Sequence, residues 1–426
     1  MSISKICVLG LGYIGLPTAS TFATHGIQVV GVDVNPEVVS SLKQGELHIY
    51  EPGLRTVVQA ALRSGKLTIS ESAETADAFI IAVPTPFYDD KRADLRFVIS
   101  AAESIVPFLQ PGNLVVLEST SPPLTTLNVV APILEKSGLK AGTDFSLAYS
   151  PERVLPGQIL RELIENARVI GGIDAKSAEL GRDLYGIFVR GNIILTDATT
   201  AEMVKLMENT YRDVNIAIAN EFSRLADRFG VDVWEAISIA NLHPRVNILR
   251  PGAGVGGHCI SVDPWFLVEA APDLTPLIRT ARTVNDGQPH FVVGAVEHAL
   301  GGLKDRRVAC LGLAYKPDVD DLRESPAVEV AHLLAQKGAQ VTAFEPYKPD
   351  FVIPGVSMKT TLEDAVAEAE FILLLQGHKQ LCSLNPAHIA AISTARLAYD
   401  SANCWDAAAW RSAGFRLIRL GVGKEE

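Results

Sequence analysis

No apolar run in this 426-residue sequence approaches the roughly 18–20 residues that cross a bilayer, so no membrane-spanning helix is expected. The first strand-like run, Ile3 to Gly10, starts almost at the first residue and leaves no room for a secretory leader. Basic charge is in deficit: 38 Lys and Arg stand against 49 Asp and Glu, a formal net charge of −11, and no five or six like charges run together. Neither nucleic acid nor an anionic membrane is therefore the expected partner. A small anionic ligand stays open, because a local Arg/Lys cluster or a helix N-terminus holds one whatever the overall sign. Cysteine is scarce as well. Cys7, Cys259, Cys310, Cys382 and Cys404 are odd in number, scattered and without CxxC spacing, so neither a disulfide framework nor a metal site is expected. Reduced thiols and a cytoplasmic location follow.

Apolar residues make up 48% and charged residues 20%, the balance of a soluble globular chain, and the length implies two or three domains. The most unusual stretch is Pro251-Gly252-Ala253-Gly254-Val255-Gly256-Gly257-His258-Cys259-Ile260-Ser261-Val262-Asp263-Pro264. Four glycines before one thiol let the backbone approach a ligand closely, more than an ordinary turn needs. A buried structural cysteine behind a flexible loop is the competing reading.

The opening run Ile6 to Leu9 feeds Gly10-Leu11-Gly12-Tyr13-Ile14-Gly15, then an Ala/Thr-rich helical pattern, then a second strand, Ile27 to Val32, ending at Asp33. This is the arrangement of a dinucleotide site: Gly10 for the tight turn, Gly12 for approach of the pyrophosphate, Gly15 for close helix packing, and the helix N-terminus for the anion. Asp33 is placed for the adenosine ribose and would repel a 2′-phosphate, which favours NAD over NADP. Further strands follow in βα rhythm at Ala78–Val83, Leu114–Glu118, Phe145–Tyr149 and Arg168–Gly171, with Thr85, Thr120 and Glu152 in the loops that follow the first three. In a parallel sheet those loops line the ligand crevice. Ordinary loop chemistry competes, with Thr120 a helix cap and Glu152 a solvated acid.

From Thr200 to Phe229 the pattern is helical, with Met203, Met207, Tyr211, Val214, Ile218, Phe222, Leu225 and Phe229 at spacings of three and four. Thr199 or Thr200 is the expected start and Gly230 the stop. Lys205, Asn209 and Arg212 share a second face at i, i+4 and i+7; a solvated face is the bland reading. A helix this long bridges domains or builds a dimer interface more often than it lies free. After it come a shorter helix, Val233–Asn241, and the polar turn His243-Pro244-Arg245-Val246-Asn247.

The last third repeats the first. Arg307 to Tyr315 echoes the opening strand and turn, Lys337 to Glu345 echoes His25 to Asp33, and Phe371–Leu375 and Arg396–Asp400 supply further strands. Only Gly312 survives of the three turn glycines, so a different anion from a dinucleotide is expected. Tyr315, Lys316 and Arg323 suit a nucleoside diphosphate, against ordinary surface charge.

Taken in order, GLGYIG with Asp33, VPTP, LESTSPP, SPERVLPG, AEMVKLMENTYRDVNIAIANE, HPRVN, GAGVGGHCISVDPWF and AYKPDVDDLRESPA resemble the UDP-glucose/GDP-mannose dehydrogenase family from about residue 3 to at least residue 330. The ERVLPG and HPRVN segments look most like the branch acting on UDP-N-acetylhexosamines. The resemblance implies an α/β chain of two Rossmann-like doubly wound domains, 1–197 and 299–426, joined by a central helical domain, 198–298, that makes a homodimer. It also implies oxidation of the sugar C6 to a carboxylate in two NAD-dependent steps, with Cys259 forming a thiohemiacetal and then a thioester. Lys205 is implied as acid/base and oxyanion partner, Asn209 as its companion, Asp263 as the orienting carboxylate, Glu152 as an aid to hydrolysis, and Thr120 as a neighbour of nicotinamide and water. For cofactor the matching positions are Gly10, Gly12, Tyr13, Ile14, Gly15, Asp33, Thr85, Thr120 and Arg323. For substrate they are Arg153, Val154, Lys205, Asn209, Arg212, His243, Arg245, Gly256, Tyr315 and Lys316, with the HPRVN pair serving a neighbouring subunit's ligand.

Many relatives carry an Arg two residues after the Asp that ends the late strand; here Ala402 stands there. A lost charge-assisted hydrogen bond weakens binding by roughly 1.5–3 kcal/mol unless replaced, and Arg396 is the candidate replacement. The expected substrate is UDP-N-acetylmannosamine. UDP-N-acetylglucosamine or UDP-glucose keeps the same chemistry; a two-electron hydroxyacid-type dehydrogenase needs no thiol; a non-catalytic NAD or nucleotide-sugar sensor would bind without forming NADH.

Overall fold

The computed structural model describes residues 3–155, 157–257 and 259–423. The chain gathers into two compact units, one of residues 1–208 with 265–272 and the other of 209–264 with 273–426.

The first unit holds an eight-stranded sheet of β1 (Lys5–Leu9), β2 (Gln28–Val32), β3 (Leu67–Ser70), β4 (Ala78–Ile81), β5 (Leu114–Leu117), β6 (Ser146–Tyr149), β7 (Arg168–Gly172) and β8 (Ile193–Asp197). Their order is β3-β2-β1-β4-β5-β6-β7-β8. The central strands are unbroken apolar runs because helices cover both faces: Val8, Ile80 and Val116 pack on one side with Phe22 and Tyr185, and Cys7, Phe79 and Val115 on the other with Val98 and Leu134. Strand order reverses between β1 and β4, where the carboxyl ends open a crevice. Neighbouring strands are parallel except that β7 runs antiparallel to β6, with Ala148 opposite Gly172 and Tyr149 opposite Gly171.

The second unit repeats the plan in β9 (Arg307–Leu311), β10 (Gln340–Phe344), β11 (Val356–Lys359), β12 (Phe371–Leu374), β13 (Leu397–Asp400) and β14 (Arg416–Arg419), ordered β11-β10-β9-β12-β13-β14 and parallel throughout. The expected doubly wound α/β fold is present twice.

The long helix spans Ala198–Phe229, 32 residues. Its start differs from the expected threonine cap, because the Asp197 carboxylate takes both the backbone N–H of Thr200 (2.8 Å) and its hydroxyl (2.6 Å). Gly230, at φ +67°, ends it as expected. The stripe of large apolar residues does not face a core within the chain. Met207 is 57% exposed and Tyr211 and Phe229 are each 70% exposed, while the buried face carries Asp213, Ala217, Asn220, Ser223 and Ala226.

One expectation fails outright. Cys382 and Cys404 are joined in a disulfide, their Cα atoms 5.3 Å apart. They follow the adjacent strands β12 and β13, so the sheet brings together two residues 22 apart that no local spacing pairs.

Candidate functional site in two half-sites

At the carboxyl end of β1 the chain turns through Gly10, φ +92°, into the helix Gly15–Thr24. A Cβ on Gly15 would lie 1.8 Å from the Gly10 carbonyl oxygen, whereas one on Gly12 would meet nothing within 4 Å. The packing glycine and the approach glycine are thus distinguished by what surrounds them. Ile14 precedes the helix with no side-chain cap; the Leu16 N–H donates to the Gly12 carbonyl at 3.1 Å, and the positive end of the helix dipole faces the glycine turn, where an anion is favoured. Asp33 accepts from the N–H of Leu11 (3.0 Å) and of Asn35 (2.9 Å), which fixes its carboxylate beside the turn. These residues fit a dinucleotide. Tyr13 stands partly exposed in the same turn. Thr85 donates to the Thr120 carbonyl, so the loops after β4 and β5 are joined there. Thr120 is not a helix cap. The next helical turns begin at Thr125–Thr126, and it is Glu202 of the long helix that takes their N–H groups, 2.6 Å from Leu124 and 2.8 Å from Thr126.

Glu152 is not the solvated acid of the alternative reading: it is 9% exposed and accepts from the Arg153 N–H (2.7 Å) and the Arg168 guanidinium (3.2 Å). Arg153 turns to Glu208, with N–O distances of 2.6 and 3.0 Å, and Val154 packs on the apolar core of this unit. Lys205 is 8% exposed, and among the described residues it has no hydrogen bond or ion pair. A desolvated ammonium so placed is suited to an anionic or oxyanionic ligand.

In the second unit, one helical turn beyond Lys205, Asn209 donates to the carboxylate of Asp263. Asp263, 2% exposed, opens the helix Asp263–Ala270, and its N–H donates to the Cys259 carbonyl at 2.8 Å. Cys259 itself is exposed, which removes the buried-cysteine reading. Gly257, at φ +86°, explains the glycine run: a Cβ there would press 2.7 Å from the Tyr315 ring, and one on Gly256 would lie 2.4 Å from the Glu324 carbonyl oxygen. The thiol loop is therefore laid directly on the loop of Tyr315, Lys316 and Arg323, and the Gly257 N–H donates to the Arg323 carbonyl at 3.2 Å. The Arg323 guanidinium pairs with Asp321. Arg212, His243 and Arg245 are exposed, the last two in a fully exposed run from 241 to 247.

Two groups here escaped the sequence reading. Glu345, at the place corresponding to Asp33, accepts from the N–H groups of Leu313 (2.6 Å) and Ala314 (3.0 Å). Its carboxylate caps the N–H groups of that turn, and the fully buried His378 holds it at 3.1 Å while accepting from the Asp318 N–H at 2.8 Å. Arg396, the suggested substitute for the missing arginine, is at the wrong end: it precedes β13 and donates to the carbonyls of Ala390, Ser393 and Ala395, whereas Ala402 follows that strand. A cation that does reach the loop is Arg419, 3.1 Å from Asn403 and 3.2 Å from Asp232.

No group of three or more His, Cys, Asp or Glu among the described residues is arranged to hold a metal ion, and no helix among them is long and apolar enough to cross a membrane.

Against known proteins, the chain matches the UDP-glucose/GDP-mannose dehydrogenase family in three parts: its NAD binding domain at residues 4–189, its central domain at 199–287 and its UDP binding domain at 309–407. A UDP-N-acetyl-D-mannosamine dehydrogenase of Methanococcus maripaludis is 48% identical over 430 residues, spanning 99% of this chain and 98% of that protein. An NDP-N-acetyl-D-galactosaminuronic acid dehydrogenase of Ralstonia nicotianae is 48% identical over 413 residues, spanning 94% and 96%. The solved structure of a UDP-D-ManNAc dehydrogenase from Pyrococcus horikoshii superposes with a TM-score of 0.92 at 41% identity, over 99% of this chain and all of that one.

Proposed function

Because the chain belongs to the UDP-glucose/GDP-mannose dehydrogenase family, we propose that it oxidises C6 of UDP-N-acetyl-D-mannosamine to the uronic acid, for surface polysaccharide, in the cytoplasm. Three segments divide the work: 1–197 for NAD, 198–298 for the thiol and dimer, 299–426 for the nucleotide sugar. The turn of Gly10, Gly12 and Gly15 with Asp33 would hold NAD, which would supply the hydride acceptor for the two oxidations.

The observation that carries the reading is the Asn209–Asp263 hydrogen bond, which ties the helix opening just after Cys259 to the polar stripe of the long helix. Cys259 adds to the C6 aldehyde; the resulting thiohemiacetal is oxidised to a thioester, which water hydrolyses. Lys205 stabilises the oxyanion and exchanges the C6 proton, Asn209 and Asp263 fix its surroundings, and Glu152 takes a proton from the attacking water near Thr120. Tyr315, Lys316 and Gly256 line the nucleotide-sugar side, where the glycine contacts weld the thiol loop to the diphosphate loop, and Arg323 is assigned to the cofactor.

The sugar is the finer question, because relatives of equal identity carry names of different configuration. Limiting sugar nucleotide should yield two NADH per UDP-N-acetylmannosamine, with its C2 epimer and UDP-glucose poor. One NADH per sugar would replace the mechanism with a simple alcohol oxidation, and two from another sugar would move the substrate.

The exposed apolar stripe from Met207 to Phe229 supports a homodimer through the long helix, since monomers rarely leave such a face open. His243 and Arg245, on their fully exposed turn, then serve the partner's ligand. Sedimentation at micromolar concentration should give twice the chain mass; a monomer would overturn this.

A further inference from the structure

We propose that Arg168 is a positioning residue for Glu152, and that Glu118, on the far side of the same guanidinium, sets how firmly Arg168 holds it. This rests on the reading that Glu152 assists hydrolysis of the thioester.

The antiparallel strand creates the arrangement. With Ala148 opposite Gly172 and Tyr149 opposite Gly171, extending the register sets Glu152 opposite Arg168. A parallel β7 would have carried its first residue to the other end of the sheet. Arg168 is 5% exposed and all three arms of its guanidinium are used: Nε donates to the Ser150 hydroxyl at 2.9 Å, Nη1 to Glu152 at 3.2 Å, and Nη2 to Glu118. The plane stacks on the Tyr185 ring, 3.8 Å from its centroid, and the Tyr185 hydroxyl donates to Glu118 at 2.5 Å. Such a group has one orientation, and so does the carboxylate it holds.

Two buried carboxylates share this one cation. Among the described residues Glu118 Oε2 has no hydrogen-bond partner, and burial pushes the Glu118 carboxyl up to about 7, with Arg168 opposing and the Glu152 charge reinforcing the rise. Other charges around Glu152 are already spoken for: Arg153 is paired with Glu208, and Glu162 accepts from the Leu155 N–H at 2.7 Å. When Glu118 is neutral, Arg168 serves Glu152 alone and holds its carboxylate firmly. When Glu118 ionises, the guanidinium is shared between two carboxylates and its hold on Glu152 loosens, which frees that carboxylate to turn to the water. In the step itself, a water proton passes to Glu152 as the water oxygen bonds to the acyl carbon; the C–S bond breaks, and the Cys259 sulfur leaves with the electron pair and is then protonated.

The test is single-turnover uronate formation by the full-length enzyme, followed from pH 6 to 8.5. The wild type should quicken several-fold through about pH 7. Glu118→Gln, which mimics the neutral acid, should remove that rise and hold the rate near its low-pH level. Tyr185→Phe removes a hydrogen bond that favours ionised Glu118 and should move the rise to higher pH by half a unit or more. Arg168→Lys should lower kcat about tenfold or more with KM for the sugar unchanged, because an ammonium cannot reproduce the planar fork that fixes Ser150, Glu152 and Glu118 at once. A Glu118→Gln profile parallel to the wild type, or a Tyr185→Phe rise that stays in place, would overturn the tuning by Glu118, and an unchanged kcat in Arg168→Lys would overturn the positioning. Glu152→Gln separates the two claims: full activity there removes Glu152 from hydrolysis, while a large loss beside an unmoved Glu118→Gln profile sinks only the tuning.

Discussion

Cys259→Ala is expected to cut uronate formation by at least about a thousandfold while leaving the protein folded. The side chain is exposed, so its removal opens no cavity and the unfolding midpoint should barely move. The loss is chemical. Without the sulfur no thiohemiacetal forms, the aldehyde has no covalent anchor, and the second oxidation must wait on a hydrate that nothing here is built to hold. NADH per sugar should fall from two to at most one, and any product released should be aldehyde. The other two thiols outside the disulfide provide the contrast: burial pushes Cys7 up to about 11 and Cys310 up to about 12, so neither offers a thiolate in their place at neutral pH. Quenched samples analysed for uronate and NADH decide the matter. Unchanged uronate output would eliminate the covalent route and leave the glycine loop as packing alone.

The sequence was most readable where one residue type has one physical use. The turn glycines, Asp33 and the cysteine loop were legible because backbone crowding and a reactive thiol admit few alternatives. Strands with continuous apolar runs were legible too, since parallel strands are covered on both faces. The strands that went unread, β3, β8, β11 and β14, are the four sheet edges and lack unbroken apolar runs. Periodicity found the long helix but not its orientation. The large apolar stripe is the exposed one, because a helix that packs through Asp213, Asn220 and Ser223 hides a polar face that no hydrophobic pattern marks. Arg168, Glu118 and Glu345 were missed for a related reason: each acts through a residue distant in the chain, and only the strand register brings the pair together. The Cys382–Cys404 pair is the same lesson in covalent form.

The polar face of the long helix makes the second large expectation, Arg282→Met, a test of stability. Arg282 is 1% exposed, with one arm on Asp213 at 2.5 Å and another on Asp286. Asp213 lies one turn beyond Asn209 and also accepts from Asn285 at 2.8 Å. Burial raises the Asp213 carboxyl above its ordinary range, and Arg282 is the charge that opposes the rise. Removing one member of a buried pair strands the other, at a cost of about 3–5 kcal/mol. The sign with pH follows from linkage. Without the cation, the folded-state pKa of Asp213 climbs further above its unfolded value of about 3.9, so the penalty is absent well below that value, grows as pH climbs from it towards the folded value, and levels off above that. The denaturation midpoint of Arg282→Met should therefore fall further at pH 8 than at pH 5. Arg282→Met with Asp213→Asn should recover more than half of the loss, because the amide keeps an acceptor for Asn285 and carries no charge. Equal losses at both pH values, with no recovery in the double variant, would show that the packing of the guanidinium stem, rather than its charge, holds the long helix to its neighbours.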